Sequence, residues 1–77
     1  MPGVLPGEVG RREAARLERE IAALEEEMGA IETRLSAPDE YLDDDALATD
    51  GRRHQALQEE LAYKYRDWER HAAEAAG

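Results

Sequence analysis

"SAPDEYLDDD", residues 36–45, decides how this chain folds. Pro38 has no backbone N–H to donate and pushes Ala37 away from the α region, so a helix arriving from the N-terminal side stops here. The aspartates that follow suit a second helix start. Asp43, Asp44 or Asp45 can accept from free backbone N–H groups and complement the positive end of a helix dipole. Tyr41 and Leu42, between stop and start, are expected to fold back and plug the end of a helix pair. A turn this short between two long helical segments makes them antiparallel neighbours.

Upstream of the turn, apolar residues fall at Ala14, Leu17, Ile21, Leu24, Met28, Ile31 and Leu35. The steps alternate between three and four, which is a heptad seam, and so narrow a stripe calls for one partner helix. Gly29 is its weak point, because glycine in a helix interior costs about 1 kcal/mol relative to alanine. Downstream, Leu47, His54, Leu57, Leu61, Tyr65, Trp68 and Ala72 share one face at similar steps. Asp50-Gly51 interrupts that face and reads as a kink or a late helix start.

The predicted fold is all-α, a two-helix antiparallel coiled-coil hairpin spanning residues 11–76. Helix one covers about 11–36, the turn about 37–45 and helix two about 46–75. Residues 1–10, with two Pro and three Gly, read as a flexible linker or the remnant of a longer chain. If Leu35 faces Leu47, then Met28 meets His54, Leu24 meets Leu57, Ile21 meets Leu61, Leu17 meets Tyr65, and Ala14 meets Trp68. The largest side chain then lies over the smallest seam residue, as close packing requires. Tyr41 completes the set at the turn.

Composition supports this class. Of the 77 residues 38% are charged and none is Phe, the balance of a long helix rather than a globular core. A chain of this size buries only about 60% of its unfolded surface, so the fragment is expected to be a monomer or a weak homodimer of marginal stability. The absence of Cys excludes disulfides and thiolate metal sites. No apolar run is long enough to span a bilayer and the first ten residues lack signal-peptide character, which makes a cytoplasmic protein without membrane contact the expectation.

"LEREIAALEEEMGAIETRLSAPDEY" followed by "LQEELAYKYRDWERH" resembles the C-terminal coiled-coil domain of Uup-like ABC-F ATPases. The turn pattern is carried by Leu35, Pro38 and Tyr41, and the return-helix ending by Leu61, Tyr65, Trp68 and Glu69. The likeness covers roughly Arg12 to Ala73. It implies a tail on two nucleotide-binding cassettes, which are its partners within the parent chain, and a role on ribosomes or DNA. A similar hairpin arm occurs at the C-terminus of valyl-tRNA synthetases and is a second alternative, though their return helix does not usually carry the Tyr-x-x-Trp-Glu ending.

This chain has no phosphate-binding GxxxxGK[ST] loop, no nucleophile–base pair and no cofactor signature, so the expectation is a non-catalytic module. His54 and His71 are lone histidines, and the Asp43–Asp45 run lacks the Gly and terminal Glu of a calcium loop; no metal is expected. The candidate contact with DNA or ribosomal RNA is the basic set Arg11, Arg12, Arg16, Arg19, Lys64, Arg66, Arg70 and His71, which a hairpin gathers at its open end. Tyr63, two residues from both Leu61 and Tyr65, points away from the seam and can stack a base. Against this stands the net charge of −9, which argues against a broad phosphate-neutralising surface. Glu13, Glu18, Glu20, Asp67, Glu69 and Glu74 can tie up the same cations as surface ion pairs. The competing function is a protein-interaction or dimerisation coiled coil.

Overall fold

In the computed structural model, which describes residues 7–76, one 3₁₀ turn, Pro38–Glu40, separates two long helices, α1 (Glu8–Leu35) and α2 (Asp44–Ala76). The helices lie side by side in a rod of 60 × 17 × 17 Å, and there is no strand among the described residues. The molecule is an all-α hairpin.

The ends of both helices follow from local chemistry. Glu8 in the first turn of α1 complements the helix dipole, and Arg34 in the last turn does so with opposite sign. Ser36 closes α1: its N–H donates to the Glu32 carbonyl at 3.0 Å and its hydroxyl to the Thr33 carbonyl at 2.7 Å. Pro38 starts the 3₁₀ turn, where a missing N–H costs nothing. Asp43 is the aspartate that caps α2, its Oδ1 accepting from the Ala46 N–H at 2.7 Å. Asp44 and Asp45 occupy the first turn.

The core is a single file of side chains. Ala14, Leu17, Ile21 and Ile31 from α1 and Leu57 and Leu61 from α2 are buried, while Leu24, Met28, Leu35 and Leu47 are half-buried along the same line. Cross-helix contacts run in opposite directions along the chain, Arg34 with Asp50, Glu27 with Arg53, Glu20 with Lys64 and Glu18 with Trp68. They lie within one helical turn of the register expected from the sequence.

Several expectations are corrected. Tyr65 is not a seam residue: it is 42% exposed, and its hydroxyl reaches across to the Glu25 carboxylate. The inward step falls instead to Lys64, whose stem lies along the seam while its ammonium bonds Glu20 at 3.1 Å. Leu42 plugs nothing, being 98% exposed, because Asp43 caps α2 and Tyr41 turns inward, leaving Leu42 outside the turn. Asp50-Gly51 neither kinks nor delays α2, which runs unbroken from Asp44.

Asp50 instead clasps the closed end. Arg34 donates to it twice, through Nε at 2.7 Å and Nη2 at 3.1 Å, and the Tyr41 hydroxyl donates to the same carboxylate. The Arg34 bonds, followed by that of Tyr41, lower the Asp50 pKa to about 2. Burial, then the bond to an anion, raise that of Tyr41.

The open end is held by backbone proximity. α1 begins at Glu8, ahead of the expected boundary near residue 11, so Gly7 and Gly10 belong to the fold rather than to a linker; residues 1–6 lie outside the described residues. Gly10 is buried against α2. A Cβ there would lie 2.8 Å from the His71 carbonyl oxygen and 3.0 Å from the Ala75 nitrogen. Gly7 has φ 81°, a left-handed conformation that favours glycine, and its carbonyl accepts the Arg11 N–H at 2.9 Å, the bond that opens the helical ladder.

The glycines give a signed prediction. Gly10→Ala forces α1 away from α2 and should lower stability by about 1 to 3 kcal/mol, the range for overpacking. At Gly29 and Gly51 an added Cβ meets nothing within 4 Å, so alanine there should raise stability by about 1 kcal/mol each through helix propensity. Urea unfolding followed by circular dichroism checks both signs. Asp50 gives a second prediction. Its depressed folded pKa means that its contribution is present above the ordinary carboxylate pKa near 4 and is lost as pH falls toward 2. Asp50→Asn should therefore lower the melting temperature at pH 7, and the gap to the parent chain should close between about pH 4 and pH 2. Parallel curves down to pH 2 would remove Asp50 from the clasp.

Candidate nucleic-acid interface

The basic residues do gather toward the open end, but most are occupied. Arg12 pairs with Glu8, and Arg16 sits between Glu13 at 2.6 Å and Glu20 at 3.0 Å. Glu20 also receives Lys64, and the Lys64 hydrogen bond is the largest influence holding its pKa below the ordinary value. Arg70 donates to Asp67. Of the candidate arginines, Arg11, Arg19 and Arg66 form no ion pair with another described residue.

Direction separates them further. At about 100° per residue, Arg19, two positions from both Leu17 and Ile21, stands on the side of α1 away from α2. Arg12, one heptad earlier, stands with it. Arg66, two positions from both Lys64 and Trp68, stands on the side of α2 away from α1, and Arg70 follows one turn on. All four are exposed. The hairpin thus places its outer cations in two groups facing opposite ways, where the sequence alone suggested one patch.

The α2 group is the better developed. Tyr63 is 67% exposed, and the Arg66 guanidinium lies 5.9 Å from the centre of its ring, a cation–π distance. Tyr63, Arg66, Asp67 and Arg70 line a shallow surface groove. Its aromatic is not consumed by packing and one of its cations is not consumed by a carboxylate. His71, the last of the basic set, is half-buried, with Nδ1 3.2 Å from Glu74.

The two flanks of the hairpin differ in a way that single-residue patterns did not reveal. One flank is ionic: Arg16 and Lys64 on Glu20, Arg53 on Glu27, and Arg34 on Asp50. Glu27, like Glu20, is held below the ordinary carboxylate pKa, chiefly by the Arg53 hydrogen bond. The other flank presents Glu18, Glu25 and Glu32, exactly one heptad apart. Glu18 accepts from the Trp68 indole N–H at 3.1 Å and Glu25 from the Tyr65 hydroxyl. Glu32 lies 3.4 Å from His54 Nε2. The Glu25 bond, with burial, raises the Tyr65 pKa. The heptad spacing of the three glutamates is the feature of the sequence that marks this row. Trp68 itself is half-buried, as its seam position requires.

Among the described residues, no cluster of His, Asp and Glu is arranged to hold a metal ion, and no helix is long and apolar enough to cross a membrane. Compared with curated proteins and with solved structures, the chain finds no match. The family model for the ABC transporter C-terminal domain matches residues 10–70. That span opens at Gly10, where the helices touch, crosses the Pro38 turn and closes at Arg70, so it takes in most of both helices. The chain belongs to the ABC transporter C-terminal domain family.

Proposed function

We propose that this chain is a non-catalytic interaction domain of a Uup-like ABC-F ATPase, working in the cytoplasm beside the nucleotide-binding cassettes of its parent protein. Its outer α2 face contacts nucleic acid, either DNA or ribosomal RNA. The observation that carries this reading is the groove in which Arg66, without a carboxylate partner among the described residues, lies against the exposed ring of Tyr63, with Arg70 one turn away. The Arg70–Asp67 pair is a surface ion pair of small worth, and a phosphate can replace the carboxylate with little cost. The net charge of −9 limits such a contact to a few phosphates.

A protein-binding role is favoured by a different observation, the 98% exposure of Leu42 in the acidic turn. The two roles predict different outcomes in one titration. Labelled DNA and RNA oligonucleotides should bind at low salt, and Arg66→Gln with Arg70→Gln should weaken binding and reduce the slope of log affinity against log salt by about 1 to 2. Arg12→Gln with Arg19→Gln, on the opposite face, should change the slope little. No binding at any salt concentration removes the nucleic-acid role and leaves the protein-binding one.

A further inference from the structure

Resting on that nucleic-acid reading, we infer that the α2 groove takes an unpaired base with its flanking phosphates, not a stretch of duplex. Tyr63 stacks the base, and Arg66 and Arg70 hold the phosphates on either side.

Three features of the face select this ligand. Tyr63, 67% exposed, offers a flat apolar surface, and inside a duplex both faces of each base are already covered by neighbours. Only a base in a loop, a bulge or a single strand has a face to give. The cations are few and close: Arg66 and Arg70 are four residues apart, a rise of about 6 Å along the helix, which suits two neighbouring phosphates and no more. Around them stand Glu59, Glu60, Asp67, Glu69 and Glu74 on the same helix. A duplex laid along this face would bring its dense phosphate charge against those carboxylates, whereas one extruded nucleotide meets only the groove.

The chemistry of each residue fits its task. In the free protein Arg66 rests over the Tyr63 ring, so the aromatic is covered by a group that can leave for a phosphate when a base arrives. Asp67 holds one Nη of Arg70, which keeps that guanidinium beside the groove with its other N–H groups available. No backbone rearrangement is needed, because all four groups lie on one face of an unbroken helix.

The test uses the 77-residue chain with three labelled probes: a twelve-nucleotide single strand, the fully paired duplex of the same sequence, and that duplex with one bulged 2-aminopurine. Affinities are read by fluorescence anisotropy at fixed salt, and stacking by quenching of the 2-aminopurine. The single strand and the bulged duplex should bind about tenfold or more tightly than the paired duplex, with quenching of the bulged 2-aminopurine on binding. Tyr63→Leu should remove that preference and the quenching, and Tyr63→Trp should keep both. Circular dichroism confirms that each variant remains helical. Equal affinity for paired and unpaired probes, or a preference that survives Tyr63→Leu, overturns the inference and leaves nucleic-acid binding standing. Binding of none of the probes overturns both.

Discussion

Leu57 has no solvent-accessible surface, and Leu17 and Ile31 have almost none, in a rod only 17 Å across. That is possible because the partner helix covers each of them from one side while the charged stems of its neighbours close the edges. The whole hairpin depends on this single file. With so few fully buried residues, a chain of this size has little apolar area to offset the entropy of ordering two long helices. The ends therefore have to be fastened by other means, and they are fastened differently. At the turn a carboxylate collects three hydrogen bonds, whereas at the opposite pole two glycines let the backbones meet.

The flanks give the pairing its register. Individually, exposed ion pairs contribute little, and the hydrogen bonds to Glu18 and Glu25 are equally open to water. Their arrangement is what matters. Sliding one helix past the other by a turn would separate Arg34 from Asp50, Arg53 from Glu27 and Lys64 from Glu20 together, and would take Trp68 from Glu18. A heptad seam alone tolerates such shifts, since an apolar residue recurs every three or four places along each helix. The polar edges remove that degeneracy.

Much of this was legible in the residues. Ala14, Leu17, Ile21, Ile31, Leu57 and Leu61 announce themselves by spacing, and Pro38 with the aspartates after it announces the turn. What escaped has physical causes. Lys64 looks polar to any hydrophobic pattern, yet its four-carbon stem behaves as apolar surface, so the pattern points to Tyr65 for the inward step. Asp50-Gly51 looks like a helix breaker when only local propensity is weighed, and the bonds from Arg34 and Tyr41 across the hairpin override it. Gly10 fell in a glycine- and proline-rich stretch, where a residue chosen for the close approach of another backbone cannot be told from a linker glycine. The clustering of arginines at one pole followed from the hairpin; that they face opposite ways follows only from counting angles around each helix.

Leu42 touches water on nearly every side while its neighbours Tyr41 and Asp43 are committed to holding the bend together. The scaffold therefore places no demand on the identity of this side chain. Position 42 is free to drift under the rules of folding alone, so any retention of a large aliphatic group there would record an encounter at the far tip and not a need of the rod.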